Sequence, residues 1–333
     1  MPGSVGDWRP SAGWPVLALR ARLLACSRAF FADRGVTEVE TPALVRHAVT
    51  DPHLANIPAR LAGQPAAWWL HTSPEFHMKR LLAAGAPDIY QVCRVFRDGE
   101  QGRRHEPEFT MIEWYRHGLD LDGMIAETVA LLASLAAATG QDTGPVQVLS
   151  YPALVAGTIG IDPLASPVAL LRERVLAVLG PDLVDPSLAA ALGDDADGWL
   201  DLLMSHRIMP ALPAGALTVI RDYPASQAAL ARLDPADPRV ALRFELFWRG
   251  LELANGYHEL ADPGEQRRRF AADRARRLAL GRPDVAPDPR LLAALDAGLP
   301  DCAGVAAGFD RLMMAITGAA DIAAVSSFAG ERR

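Results

Sequence analysis

Phe96-Arg97-Asp98-Gly99-Glu100-Gln101-Gly102-Arg103-Arg104-His105-Glu106-Pro107-Glu108-Phe109-Thr110-Met111-Ile112-Glu113-Trp114-Tyr115 is the stretch whose reading decides the fold. Residues 90–97 are rich in aromatic and β-branched side chains, and residues 109–115 resume that pattern after a polar, glycine-punctuated run. Two such runs around a polar loop predict an antiparallel pair of strands. Side chains alternate along a strand, so Phe109, Met111, Glu113 and Tyr115 share one face. An aromatic ring, a carboxylate and a phenol make a poor core but a good wall for an amine and a base. Arg97 ahead of the loop and Arg103, Arg104 and His105 within it bring cations to a backbone able to fold over an anion. A solvated hairpin with a partly apolar face would share this local pattern, so features elsewhere must decide.

Just upstream, residues 67–70 read as a strand, and Thr72-Ser73-Pro74-Glu75 reads as a helix start. Thr72 or Ser73 can cap it, Pro74 suits the first helical position, and Glu75 at least complements the helix dipole. Further back, Val16, Leu19, Leu23, Cys26 and Phe30 recur at spacings of three and four, one stripe of a helix that Gly35 ends. A short strand over residues 36–40 follows and stops at Pro42. This pair can be core or a dimer seam.

Downstream, residues 118–139 form an apolar helical pattern. Residues 140–220 carry the least information, beyond a helix at 170–179 and an acidic turn at 193–198. Residues 217–223 read as a strand, as do residues 244–253, which place Glu252 on the face of Phe244, Leu246 and Trp248. Acidic groups at the end of an apolar strand are costly unless they meet cations or amines, which makes Glu252 and the nearby Glu259 a second carboxylate group. Residues 266–282 place seven arginines on a helix, a pattern that fits a solvated face or a docking surface. Finally, the small residues 304–308 form a strand that backbone or ligand can approach closely, turning into a helix with Arg311 in its first turn. Helix N-terminus and arginine together make an anion site.

The 333 residues are half hydrophobic and 22% charged, a globular composition. No run is long enough to span a membrane and residues 1–15 contain no apolar core of a signal, so a cytoplasmic protein is expected. A net charge of −7 argues against broad nucleic-acid binding. Cys26, Cys93 and Cys302 are odd in number and form no metal or disulfide spacing. Lys79 is the only lysine, so phosphate-binding cations must be arginines, which suits bidentate contacts.

In this order the pieces resemble the class II aminoacyl-tRNA synthetase core, in particular its lysyl branch. Residues 16–34 with Pro42 are similar to motif 1, residues 96–111 to motif 2, and Gly308-Phe309-Asp310-Arg311 to motif 3. With Glu252-Leu253-Ala254-Asn255-Gly256, the likeness runs over nearly the whole chain. It implies an α+β fold with an antiparallel sheet flanked by helices, and a homodimer formed through motif 1. The expected organisation is a single catalytic domain over residues 1–333, with 140–220 a poorly defined segment inside it. No anticodon-binding OB-fold domain precedes motif 1. That absence, with Thr72-Ser73-Pro74-Glu75, Pro224-Ala225-Ser226-Gln227 and Leu299-Pro300-Asp301-Cys302, resembles the truncated lysyl-tRNA synthetase paralogues that attach β-lysine to a lysine of elongation factor P.

The resemblance implies ATP and Mg²⁺ as cofactors, with Arg97 and Arg311 as the catalytic cations. Arg97 would hold the α-phosphate, His105 and Arg311 the outer phosphates, Phe109 the adenine, and Glu252 the Mg²⁺. Asp98, Gly99, Glu100, Glu106, Leu253 and Gly308 complete the implied nucleotide site. Glu259 and Tyr115 would receive the side-chain amine, while Ser73, Pro74, Glu75, Glu113, Asn255 and Ala306 would line the rest of the amino-acid site. The chain departs from the pattern at Gly99, where the family has glutamate (Glu100 is next), at Glu106 for asparagine, and at Ala306, where lysyl-tRNA synthetases have glycine. Two other readings stay open at this point. One is an α-lysine-activating paralogue acting on tRNA or another acceptor, with the acidic charge counting against tRNA. The other is a nucleotide-binding regulator without turnover.

Overall fold

The computed structural model describes residues 8–64 and 67–330; Met1 to Asp7, where no export signal was read, lie outside them. The chain divides into two compact units, residues 1–142 with 259–333, and residues 143–258.

In the first unit, α1 (Trp14–Ala32) leads into the short strands β1 (Thr37–Glu38), β2 (Leu44–Val45), β3 (Pro58–Ala59) and β4 (Trp68–Leu70). Helix α2 (Glu75–Ala83), the hairpin strands β5 (Ile89–Phe96) and β6 (Glu108–His117), and α3 (Leu121–Ala137) follow. Strand β1 runs parallel to β5, which pairs antiparallel with β6 as the alternation predicts, Val95 opposite Phe109 and Gln91 opposite Glu113. Strands β2, β4 and β3 form a separate small sheet in that order.

Alternation gives β6 two faces. Thr110, Ile112 and Trp114 point to the core, where Phe31 of α1 stacks on Tyr90 at 4.3 Å between ring centroids and meets Trp114 at 5.4 Å. The buried side of α1 comprises Arg20, Leu23, Ser27, Phe30 and Phe31. It is therefore rotated from the apolar stripe of the sequence, and Val16, Leu19 and Cys26 stay half-exposed. Arg20 causes the rotation. A buried guanidinium needs fixed partners, and Arg20 finds Asp310 Oδ1 at 2.7 Å and Thr110 Oγ1 at 2.6 Å.

The second unit begins with β7 (Val146–Ser150) and the helices α4 (Tyr151–Ile159), α5 (Val168–Leu179), α6 (Pro186–Leu192), α7 (Ala196–Leu203) and α8 (Met209–Ala211). It ends in β8 (Leu217–Pro224), β9 (Val240–Trp248) and β10 (Leu251–His258). Residues 140–220, hard to read in sequence, are thus mostly short helices started by local signals. Asp185 caps α6 ahead of Pro186, and Asp195 in the acidic turn caps α7. Tyr151, Val155, Leu171, Val175, Trp199, Leu203 and Phe247 form their common core.

The strand expected over residues 244–253 is corrected to a hairpin. Arg249 and Gly250 both take left-handed backbone angles, φ 52° and 72°, the two-residue turn that matches strand twist. Glu252 then lies opposite Phe247, and Asn255 opposite Glu245. Glu252 therefore shares a face with Glu245 and Phe247, not with Phe244, Leu246 and Trp248 as the uninterrupted strand would require.

The first unit resumes at Glu259 and adds α9 (Pro263–Ala279), α10 (Pro289–Gly298), β11 (Cys302–Gly308) and α11 (Phe309–Thr317). Strand β11 pairs antiparallel with β6: Gly304 faces Tyr115, Ala306 faces Glu113 and Gly308 faces Met111. Most arginines of α9 lie on a solvated face, Arg267 and Arg268 exposed and Arg274 half-exposed, while one turns inward. Arg277 is buried against the carbonyls of Asp51 and Leu54, and Arg274 pairs with Asp284. Among the described residues no helix is long and apolar enough to cross a membrane.

Candidate active site

The face of β6 that carries Phe109, Met111, Glu113 and Tyr115 continues across β11 through Gly304, Ala306 and Gly308. Two polar groups sit along it. Phe109 and Glu113 lie four strand residues apart, about 13 Å at the usual rise.

The first group is anionic. Glu113 Oε2 accepts a hydrogen bond from Ser73 Oγ and its Oε1 accepts one from Tyr115, both 2.7 Å. Ser73 Oγ in turn accepts from the Glu75 amide at 2.9 Å, which fixes the start of α2 beside Pro74. One turn along α2, the Lys79 ammonium lies 2.6 Å from Glu75 Oε1 and 2.6 Å from Glu259 Oε2. Glu259 is held by its own amide, which donates to the Cys302 carbonyl at 3.0 Å. Glu113, Lys79 and Glu259 are all at most 2% exposed.

Burial raises the Glu113 carboxyl most, and the Glu75 charge adds to it. Hydrogen bonds from Ser73 and Tyr115 oppose both, Glu259 raises it further, and the result stands at about 8. Burial and the carboxylates of Glu113, Glu75 and Glu259 hold the Tyr115 phenol well above its ordinary range. Burial alone would lower Lys79, but Glu259 and Glu75 outweigh it and raise its pKa, so it is an ammonium at neutral pH. Gly304 makes room for this packing. A Cβ there would stand 2.4 Å from Glu259 Oε1 and 2.4 Å from Tyr115 Cε1.

The second group is cationic. The Arg97 amide donates to the Pro107 carbonyl at 2.9 Å and closes the loop that follows. Its guanidinium lies 5.1 Å from the centroid of Phe109, a cation–π distance. Its Nη1 is also 3.5 Å from Glu100 Oε1, so Glu100 reaches the arginine that Gly99, at φ 77°, cannot. The Asp98 amide bonds the Ala55 carbonyl at 2.8 Å, and a tight reciprocal turn joins Gly102 to His105. Arg311, in the first turn of α11 after Gly308, donates from Nη2 to His105 Nε2 at 2.6 Å and from Nε to the Arg104 carbonyl at 3.4 Å. Glu106 is half-buried beside His105. Behind Arg311, Asp310 Oδ2 accepts from the Thr110 amide at 2.6 Å while its other oxygen binds Arg20. That buried link ties α1, β6 and α11 together.

Glu252, Leu253 and Asn255 belong to the second unit. There, Glu245 accepts from Tyr223 at 2.7 Å and from Arg243 at 2.6 Å, while Asn255 donates to Tyr257 at 3.0 Å. Burial raises the Glu245 carboxyl first and the Glu252 charge raises it next, so this face holds two carboxylates in mutual repulsion. Among the described residues no cluster of three or more His, Cys, Asp or Glu has metal-site geometry.

Sequence reasoning brought together Ser73, Glu75, Glu113, Tyr115 and Glu259, and separately Arg97, Phe109, His105 and Arg311. It missed Lys79 as a member of the first group, although its spacing of four from Glu75 and its standing as the sole lysine were available signals. It read close approach at residues 304–308 without naming what approaches Gly304, and it missed the Arg20–Asp310 pair, whose partners are distant in the chain.

The family model for class II tRNA synthetases (D, K and N) matches residues 7–332. This chain belongs to that family. Among curated proteins it is 45% identical over 329 residues to the elongation factor P–(R)-β-lysine ligase of Salmonella gallinarum, covering 98% of each chain. It is 46% identical to the proteins of the same name from Vibrio cholerae, over 97% of each chain, and Klebsiella pneumoniae, over 98% of each.

Proposed function

We propose that this protein is an ATP-dependent ligase that activates (R)-β-lysine as its adenylate and transfers the acyl group to a lysine ε-amine of elongation factor P. The observation that carries this reading is one sheet face with a buried anionic group around Glu113 and, four strand residues along, Arg97 over Phe109, with Arg311 and His105 paired after the strand that adjoins it. An amine-rich amino acid fits the first, and a triphosphate fits the second.

The substrate carboxylate is itself the nucleophile at the α-phosphorus, so the first step requires no general base. Arg97 holds the α-phosphate, with Phe109 against the adenine, and His105 and Arg311 take the outer phosphates. Asp98, Gly99, Glu100, Glu106 and Gly308 complete the nucleotide site. Catalysis is then positioning together with charge neutralisation in the transition state. Glu259 and Tyr115 receive the side-chain amine, and Ser73, Pro74, Glu75 and Glu113 serve the rest of the amino acid. In the second step the acceptor amine attacks the mixed anhydride and AMP leaves.

The repelling Glu245 and Glu252 carboxylates fit a divalent cation. Glu252 would be the Mg²⁺ ligand and Glu245, whose oxygens accept from Tyr223 and Arg243, a charge beside it. Mg²⁺, when bound, supplies neutralisation of phosphate charge.

Ala306 stands opposite Glu113 in the register. A methyl there is worth about 1–3 kcal/mol between close substrates. It crowds an α-amine more than a β-amine, which sits one carbon further along. The half-exposed apolar side of α1 supports a homodimer formed through that helix. The family match across both units supports one catalytic domain, and the absence of a candidate membrane helix among the described residues is consistent with a cytoplasmic enzyme. Pyrophosphate exchange with β-lysine and α-lysine side by side tests the reading. Preference for β-lysine supports it; preference for α-lysine, or no exchange with either, refutes it.

A further inference from the structure

Lys79 lies outside every role assigned above, yet its ammonium bridges two carboxylates of the amine end. It is the only lysine among the 33 lysines and arginines of the chain. A compact ammonium with three donors fits between two carboxylates at 2.6 Å from each; a planar guanidinium demands more space and a different geometry. The bridge uses one oxygen of each carboxylate. The other oxygen of Glu259 lies against Gly304 and Tyr115, on the site face. Glu75 keeps 17% of its side chain exposed.

Without Lys79, two nearly buried carboxylates would face each other uncompensated, and one would take up a proton or a solvent cation. A protonated or displaced carboxyl in that wall holds the amine it faces more weakly than a carboxylate fixed in place. We propose that Lys79 is a specificity-determining positioning residue: its ammonium locks Glu75 against Glu259 and cancels one of their two charges. The wall that remains favours a diamine amino acid over one lacking the second amine. This inference rests on the reading of the amine end given above.

The test is pyrophosphate exchange driven by β-lysine, α-lysine and 6-aminohexanoate, which lacks the second amine, with wild-type, Lys79→Gln and Lys79→Ala enzymes. The wild type should prefer the diamines. In Lys79→Gln the KM for a diamine should rise about a hundredfold, with kcat and the KM for ATP little changed, and the preference over 6-aminohexanoate should collapse. Propylammonium should restore exchange in Lys79→Ala and leave the wild type unaffected. Lys79→Gln keeps hydrogen-bonding capacity and volume, so it answers the question if Lys79→Ala does not fold. Wild-type KM and selectivity in Lys79→Gln, or an equal loss for all three amino acids, would overturn the inference. A wild type that exchanges with none of them would instead overturn the reading of the site, and this inference with it.

Discussion

Replacing Gly304 with alanine should disable the amine end while sparing the nucleotide end. The new Cβ would meet Glu259 Oε1 and Tyr115 Cε1 at 2.4 Å, against the 3.4 Å at which ordinary contact begins. Both neighbours are nearly fully buried, Glu259 at 1% and Tyr115 at 2% exposed, so neither can swing into solvent. Tyr115 is further pinned by its 2.7 Å bond to Glu113, and Glu259 by Lys79. Relief therefore requires the two groups to shift by about 1 Å, a displacement that typically costs about a hundredfold in rate. The overpacking should also cost about 1–3 kcal/mol of stability. Amino-acid-dependent pyrophosphate exchange reads the first effect, ATP binding serves as the control, and a denaturant midpoint reads the second. If Gly304→Ala exchanges with wild-type kcat and KM, the packing argument for this end of the site is wrong.

Arg311→Ala should weaken ATP use by at least tenfold, the scale of a lost charge-assisted contact, with the amino-acid KM little changed; exchange kinetics at varied ATP check this. Glu113 should make amino-acid binding pH-dependent. Its carboxyl stands at about 8, raised above the ordinary value, so it is mainly protonated at pH 7 and must ionise to meet an ammonium. Apparent affinity for the diamine should thus improve as pH rises from about 6.5 to 8, with proton release seen calorimetrically, and Glu113→Gln should flatten that limb. The groups facing Glu113 are Ser73, Tyr115, Glu75 and Glu259, with Gln91 opposite it on β5. The same shift has a stability sign: a raised carboxyl contributes stability at low pH that is lost as pH climbs from the unfolded value through about 8. Arg20→Met should cost about 3–5 kcal/mol by leaving Asp310 buried and unpaired, and Asp310→Leu combined with it should recover part of that loss in urea melts.

The hairpin of β5 and β6 was legible because alternation is a local signal, and so were the helix start at Ser73 and the small-residue strand before Arg311. Their face assignments held, since register follows from alternation once one face is buried. The turn at Arg249–Gly250 was not legible. Arginine is a rare choice for a left-handed position, and apolar residues resume directly after the two-residue turn, Trp248 before it and Leu251 after. The buried stripe of α1 was displaced for a tertiary reason, the pairing of Arg20 with a residue 290 positions away. The part played by Lys79 and the neighbours packed on Gly304 escaped notice likewise, because what defines them is Glu259 and Tyr115 arriving from other parts of the chain.

The most direct measurement is the intact mass of elongation factor P after incubation with this protein, ATP, Mg²⁺ and (R)-β-lysine. The account predicts a gain of one lysyl residue on a single lysine, dependent on ATP, with one AMP formed per acceptor modified. An unchanged mass, or a gain obtained more readily with α-lysine than with β-lysine, would contradict it.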